Sequence, residues 1–157
     1  HPSYYSDRTA HKLDHEIQGL RSVSGDPVES SRQHFLKFRL PDTFLNLASH
    51  GIQHDYSMGY APQPGFRAGT SRPFYFFDVV HNTATTLLMH PITVMEGTYK
   101  DYLHKTPSQS IQDIRSLIDT VREHGGTFMS IWHEAQLTDS SPWRKVYTEM
   151  NDYLRPR

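Results

Sequence analysis

The sequence predicts a single α/β domain in which helices flank parallel strands, and three observations support this class. Patterns typical of helices alternate along the chain with patterns typical of buried strands. One local order, helix, His-Gly, strand and then polar residues, occurs twice, in residues 46–57 and 120–134. Very short turns join helix to strand in both copies, which favours parallel βα units. The 157 residues are enough for one domain with a sizeable core.

Four helices are predicted from apolar residues that recur every three or four positions. They cover residues 7–21, residues 42–50, a range from residue 107 or 108 to 124, and a stretch that begins at Pro142. Glycine follows each of the first three, at Gly25, Gly51 and Gly125, and glycine commonly ends helices. The third helix is the clearest of the four because its apolar stripe continues through residues 111–121.

Strands are predicted where apolar or β-favouring residues cluster without helical spacing. Residues 52–57 and 127–134 each follow a helix directly. Residues 87–95 also resemble a strand, although Pro91 indicates an edge strand or an irregular one. Residues 30–41 have weak strand character. Prolines and glycines in residues 59–69 predict a long loop, which continues to an aromatic run further along.

Composition and charge exclude several classes of function. The 16 lysines and arginines nearly balance the 17 acids, which argues against a nucleic-acid partner. No apolar run is long enough to cross a membrane, so a soluble domain without membrane insertion is expected. The chain has no cysteine, which rules out disulfides, thiolate metal sites and a cysteine nucleophile.

His133 is the first candidate for chemistry because an apolar strand delivers it next to Glu134. An imidazole at a strand end suits general acid or base catalysis near neutral pH, whereas the alternative is a structural histidine. Asp55 ends the matching strand of the repeated order, so the two side chains are expected to meet at one rim of the fold. A carboxylate there would orient the imidazole, and the alternative is a solvated loop aspartate.

Residues near the start of the chain form a second group of candidates. His1 is either a metal ligand or leftover sequence at a chain end. Arg32 and His34 lie in the segment with weak strand character, where a charged loop is the simpler interpretation. His11 and His15 are one helical turn apart and have no obvious third ligand, so a solvated helix face is expected there.

The segment PGFRAGTSRPFYFF combines Arg67 and Arg72 with several aromatic rings. Aromatic faces and guanidinium groups together suit sugars or anionic ligands, through stacking and paired hydrogen bonds. The alternative is a compact loop that packs on its own side chains.

Five segments, taken in order, point to a known family. They are HPSYYS, SRQHFLKFRLP, IQHDYSMGYAPQPGFRAG, HPITVMEGTYKDYL and GGTFMSIWHE. Together they resemble the polysaccharide deacetylase (NodB-homology, carbohydrate esterase) family, and a divergent bacterial branch of it in particular. The likeness covers nearly the whole chain. It implies a partial or distorted (β/α) barrel that binds a divalent metal, usually zinc, and removes acetyl groups from a polysaccharide.

The resemblance assigns roles to the early residues. The family's His-Ser/Thr-x-x-His motif falls on residues 1–5, which implies that His1 is the first metal ligand, while Tyr5 stands in place of the second. The Arg-x-Pro-Tyr motif falls on residues 32–35 and implies that Arg32 orients the catalytic aspartate. His34 stands where proline is expected and is a candidate for the missing nitrogen ligand.

The resemblance also assigns roles at the two strand ends. The family's strand-end aspartate falls on Asp55, and its Leu-x-His motif falls on residues 131–133. This implies that His133 is the general acid and that Asp55 lies near it. Trp132, inside the motif, joins Arg67 and Arg72 as a candidate for substrate binding.

The sequence departs from the family at its start. The family's first strand ends in paired aspartates, one a general base and the other a metal ligand, and that strand precedes the histidine motif. No residue precedes His1 in this sequence. Residues 1–157 are therefore expected to form one deacetylase-like domain that lacks the first strands of the barrel.

The main hypothesis is a metal-dependent hydrolase that removes acetyl groups from a sugar or polysaccharide, with His133 donating a proton to the leaving group. One alternative is an inactive carbohydrate-binding or scaffolding module on the same fold. A weaker alternative is a phosphoesterase, because histidines and arginines also suit phosphate. The compartment and the oligomeric state stay open, with the bacterial cytoplasm slightly favoured.

Overall fold

The structure, a computed structural model, describes residues 1–7 and 9–155. The chain divides into two compact units. The first unit comprises His1–Met58 and Pro73–His90, and the second comprises Gly59–Arg72 and Pro91–Arg157.

The first unit contains two helices and a four-stranded sheet. The helices are α1 (Ala10–Ser24) and α2 (Asp42–Ser49). The strands are β1 (Ser30–Ser31), β2 (His54–Asp55), β3 (Phe74–Asp78) and β4 (Thr83–Met89). Their order in the sheet is β1-β2-β4-β3, with β1, β2 and β4 parallel and β3 antiparallel to β4. The core of this unit is aliphatic and aromatic, and includes Leu13, Ile17, Phe44, Leu47, Leu87 and Met89.

The two helices of the first unit are close to their predicted ranges. α1 begins three residues later than predicted and continues to Ser24, where Gly25 adopts a left-handed conformation (φ 75°) and ends it. Arg8, inside the predicted range, lies outside the described residues. α2 begins at the predicted residue and ends one residue early, before Gly51 (φ 79°).

The second unit consists of a two-stranded parallel sheet and two long helices. The strands are β5 (Val94–Met95) and β6 (Ser130–Ile131), and the helices are α3 (Pro107–His124) and α4 (Pro142–Leu154). Both helices have the predicted start. Thr106 and Gln109 form a capping box at the start of α3, and Ser141 caps α4. The buried stripes of α3 and α4 meet in one hydrophobic cluster with Val94 and Tyr99.

The predicted strand over residues 87–95 is wrong as one element. Its first part belongs to β4, which ends at Met89, and its last part is β5. Pro91 lies between them and has no backbone N–H, so it cannot continue a strand ladder. β4 also begins earlier than predicted, because Thr83 and Ala84 pair with the aromatic strand β3 in an antiparallel hairpin.

The fold is a mixed α/β structure with parallel strands and flanking helices. Within residues 1–7 and 9–155 the strands form two separate sheets, and neither is a closed barrel. Over the same residues, none of the helices combines the length and the apolar character that a membrane span requires.

Candidate functional site

Polar side chains follow both strands of the second unit at the same end. Glu96 comes directly after β5, and His133 comes two residues after β6. Val94 pairs with Ser130 and Met95 with Ile131 in parallel register. Because both strands run in the same direction, the residues that follow them emerge at one edge of the sheet.

Glu96 and His133 form the closest contact between titratable side chains at this edge. Oε1 of Glu96 lies 2.5 Å from Nδ1 of His133 and 3.2 Å from its backbone nitrogen, so one oxygen accepts from both the ring and the main chain. Glu96 is 2% exposed, whereas the side chain of His133 is 61% exposed. The second oxygen, Oε2, is buried and has no hydrogen-bond partner within the described residues.

This geometry determines which ring nitrogen of His133 is available. A carboxylate is an acceptor, so Nδ1 carries a proton and donates it to Glu96. In the neutral ring, Nε2 then has a free lone pair and can accept a proton. In the protonated ring, Nε2 can donate one. A buried carboxylate that fixes the tautomer of an exposed imidazole is the arrangement used for general acid and base catalysis.

Asp55, at the end of β2 in the first unit, has a different environment. Its carboxylate is fully buried and accepts from the backbone N–H of Ser57 and from the Ser57 hydroxyl, both at 2.8 Å. The same hydroxyl accepts from the backbone N–H of Gln33 at 2.9 Å. Burial raises the pKa of Asp55 to about 7, although the two hydrogen bonds from Ser57 act to lower it.

His1, His34 and Arg32 are close together in the first unit. The Nδ1 atoms of His1 and His34 are 3.3 Å apart, and the two rings meet edge to face. Burial lowers the pKa of the His1 amino group, and the charge of Arg32 lowers it further. The structure thus brings together three of the predicted early residues.

A cavity of about 570 Å³ in the first unit borders this histidine pair. Its polar lining comes from His1, Ser3, Glu16, Ser30, Ser31 and His34. Glu16 is engaged there, because its carboxylate accepts from the backbone N–H of Ser3 at 3.0 Å and from the Ser3 hydroxyl at 2.5 Å. The apolar part of the lining includes Leu13, Ile17 and Leu20 of α1.

The two predicted substrate-binding arginines contact main-chain carbonyls of their own unit. Arg67 donates to the carbonyl of Gly59 at 2.9 Å. Arg72 donates to the carbonyls of His124 and Gly125 at 2.9 and 3.1 Å, so it caps the end of α3. A role for these side chains in substrate binding stays a prediction.

Trp132, the third predicted substrate-binding residue, lies between β6 and α4. Its indole N–H donates to the hydroxyl of Ser130 at 3.2 Å, and its ring packs edge to face on Tyr147 at 5.2 Å. It is only partly buried against the hydrophobic cluster of the unit. A role for Trp132 in substrate binding stays a prediction.

The predicted site residues fall in both units. Asp55, Arg32, His1 and His34 belong to the first unit, and His133 belongs to the second. The predicted meeting of Asp55 with His133 stays a prediction. Within the described residues, no group of three or more histidines, aspartates or glutamates is placed to hold a metal ion.

Glu96 is the residue that the sequence prediction missed. The signal was present, because Glu96 directly follows residues 87–95, which resemble a strand, just as Asp55 ends the strand of the repeated order. The pairing of β5 with β6 is a tertiary contact, however, and nothing local in the sequence indicates which strands are neighbours.

Comparisons with known proteins add no identification. No protein-family model matches this chain, and neither does any curated protein or solved structure. Any assignment of function therefore depends on the side chains described above and on the motifs of the sequence.

Proposed function

We propose that this chain carries part of the active site of a metal-dependent hydrolase that removes acetyl groups from a sugar or polysaccharide. The contact between Glu96 and His133 is the observation that best supports this proposal. It provides an exposed imidazole whose outer nitrogen is free to exchange a proton with a substrate. The resemblance of the ordered sequence motifs to polysaccharide deacetylases gives the reaction class.

In this proposal His133 acts on the leaving group. With both ring nitrogens protonated, His133 donates from Nε2 to the departing amine or alkoxide, while Nδ1 keeps its hydrogen bond to Glu96. Glu96 holds the ring in position through this bond and through the backbone N–H of His133. Its negative charge stabilises the imidazolium before the proton leaves.

The donor set of the first unit fits two positions of a zinc site. Two zinc–nitrogen bonds of about 2.0–2.1 Å at a tetrahedral angle place the nitrogens roughly 3.3 Å apart. The two Nδ1 atoms of His1 and His34 have a separation of 3.3 Å. When bound, a zinc ion would polarise the acetyl carbonyl and acidify a water molecule. The family's further carboxylate ligand has no match in this sequence.

Metal binding and acetyl release together test the proposal. The intact protein, loaded with zinc and dialysed, is expected to retain stoichiometric metal and to release acetate from acetylated oligosaccharides. His34→Ala should weaken zinc binding by at least roughly tenfold, because it removes one of two nitrogen ligands. His11→Ala is the matched control, since His11 is exposed on α1, and it should bind zinc like the wild type.

Two results would count against the hydrolase. Equal zinc affinity in His34→Ala and His11→Ala would show that the pair of His1 and His34 does not bind the metal. Tight zinc binding without acetate release from any acetylated substrate would favour a non-catalytic carbohydrate-binding module instead.

A further inference from the structure

A second pair of histidines lies on the sheet of the first unit. Nδ1 of His54 and Nε2 of His90 are 3.0 Å apart, and the centroids of the two rings are 5.2 Å apart. Both residues are only partly buried, so a small ligand can reach them while the surrounding protein holds them. We call His54 and His90 the strand pair, to distinguish them from His1 and His34.

Backbone pairing between β2 and β4 sets the position of the strand pair. His54 on β2 pairs with Leu88 on β4 in parallel register. His90 follows the end of β4, and its backbone N–H donates to the carbonyl of Asp55 at 2.8 Å, which continues the ladder. Alternate residues of a strand point to the same face of the sheet, so His54, Leu88 and His90 share one face. The buried side chain of Asp55 points to the opposite face.

The ring of His90 is held in place and available as a ligand. Tyr56, two residues after His54, stacks on it with 4.5 Å between centroids and 10° between planes, which limits rotation of the imidazole. Burial lowers the pKa of His90, and the neighbouring His54 lowers it further. His90 is therefore neutral near pH 7, and a neutral imidazole has a lone pair that can bind a metal ion.

The separation of the two nitrogens indicates which coordination geometry fits. Two metal–nitrogen bonds of about 2.0–2.1 Å at a right angle place the nitrogens roughly 2.8–3.0 Å apart. The strand pair, at 3.0 Å, falls in this range, whereas His1 and His34, at 3.3 Å, fit a tetrahedral angle. Right angles between ligands are typical of the square-planar and tetragonal sites of Cu(II) and Ni(II).

Metal binding changes the proton positions in the strand pair. For both facing nitrogens to bind a metal, His54 carries its proton on Nε2 and His90 carries its proton on Nδ1. Two metal–nitrogen bonds then replace the hydrogen bond between the rings, and two neutral rings release no proton. Over the part of the chain that the structure describes, no third histidine, aspartate or glutamate groups with the pair to hold a metal ion. Water would fill the remaining coordination positions from the exposed side.

We propose that His54 and His90 form a binding site for a divalent transition metal that prefers tetragonal geometry, Cu(II) or Ni(II), and that this metal bridges β2 and β4. The site does not depend on the proposed hydrolase or on its zinc ion. Cu(II) should bind more tightly than Ni(II), as is general for nitrogen ligands. Because the bridge exists only when the two strands are paired, the metal should also raise the unfolding temperature.

Paramagnetic broadening by copper tests the location of the site. The intact protein with His34→Ala, which removes one imidazole of the other pair, is titrated with CuCl₂ while the NMR signals of its imidazoles are followed. At substoichiometric copper, the signals of His54 and His90 should broaden before those of the other histidines. Earlier broadening of His11 and His15 would place the copper on α1 and overturn the proposal.

Copper affinity, measured by isothermal titration calorimetry, is the second test. His54→Ala and His90→Ala should each weaken Cu(II) binding by at least roughly tenfold, because each variant leaves a single imidazole. His54→Gln keeps a side chain that can form hydrogen bonds at this position and should lose copper to the same extent, which separates loss of a ligand from a folding defect. His81→Ala is the matched control, since His81 is a largely exposed imidazole of the same unit, and it should bind copper like the wild type.

The electron paramagnetic resonance spectrum and the unfolding temperature complete the experiment. Bound Cu(II) should give a tetragonal spectrum with nitrogen splittings from two imidazoles, and copper should raise the unfolding temperature of the wild type but not that of His54→Gln. Unchanged copper affinity in His54→Ala and His90→Ala would overturn the site and leave the two rings as a structural contact between strands. A spectrum without nitrogen splittings would also overturn it.

Discussion

Two strand ends in this molecule carry a buried carboxylate, yet the two carboxylates differ in what they contact. Asp55, after β2, accepts from the backbone and side chain of Ser57, only two residues away. Glu96, after β5, accepts from the ring and backbone of His133, a residue far along the chain. The difference shows that a strand-end carboxylate is informative about function only when its partner is known.

The two carboxylates also differ in how exposed their hydrogen-bond partners are. Ser57 is fully buried, so the hydrogen bonds of Asp55 tie the chain together inside the first unit. The side chain of His133 is largely exposed, so the hydrogen bond of Glu96 supports a group that solvent and substrate can reach. We therefore expect substitutions at Glu96 and His133 to change reaction rate, and substitutions at Asp55 and Ser57 to change stability.

His133→Ala should have the largest effect on rate. Loss of a general acid typically costs about 10²–10⁴-fold, and we expect this range for acetate release by the zinc-loaded protein. His124→Ala, which removes an exposed imidazole from the end of α3, is the control and should retain wild-type turnover. Wild-type turnover in His133→Ala would remove this residue from the mechanism.

Glu96→Gln should reduce the rate by about 10–100-fold while leaving the imidazole in place. The amide has the shape of the carboxylate but lacks the charge that stabilises the imidazolium, and its NH₂ group can favour the wrong tautomer of His133. Glu123→Gln on the exposed face of α3 is the matched control. If both variants turn over equally, Glu96 does not position His133.

Asp55→Asn should change the pH dependence of stability. The pKa of Asp55 is raised from 3.8 to about 7, so the folded state keeps a proton that the unfolded state loses in this window. The protonated Asp55 stabilises the folded state fully at pH values below its pKa in the unfolded chain. This stabilisation, on the order of a few kcal/mol, is lost as pH rises through about 7. Urea unfolding measures the free energy of unfolding at each pH. Between about pH 4 and about pH 8, this free energy should fall less steeply with rising pH in Asp55→Asn than in the wild type. If the free energy of unfolding changes with pH in the same way in both proteins, the raised pKa of Asp55 is contradicted.

Ser57→Ala should have the smallest effect and should act on stability alone. It removes the hydroxyl that donates to Asp55 and accepts from the backbone of Gln33, and we expect a loss of about 1–3 kcal/mol in the free energy of unfolding. Ser22→Ala is the control, because the exposed Ser22 hydroxyl donates to the Gly19 carbonyl of the same helix. A loss of acetate release without any loss of stability would place Ser57 in the reaction site instead.

The helices were the most predictable part of the fold. α3 and α4 have long apolar stripes with proline at the start, and α3 has a glycine after its end, so local pattern alone gives their positions. The strands β1, β2, β5 and β6 have only two residues each, so their extent depends on tertiary pairing and not on propensity.

The candidate site was predictable in part for the same reason. His133 stood out because it follows an apolar run, and its position after β6 agrees with that prediction. Its observed carboxylate partner, Glu96, was not predicted, because Asp55 and Glu96 look alike in sequence and only the pairing of β5 with β6 distinguishes them. The proximity of His1 to His34 was likewise not predictable from local pattern, because it is a tertiary contact between residues that are 33 positions apart in the chain.

The tautomer of His133 tests the central claim most directly. NMR of the imidazole nitrogens distinguishes a ring protonated at Nδ1 from one protonated at Nε2. In the neutral ring of the wild type, we expect the proton on Nδ1, where Glu96 accepts it, and a population of the other tautomer in Glu96→Gln. A wild-type ring protonated at Nε2, or the same spectrum in both proteins, would contradict the orientation of His133 by Glu96.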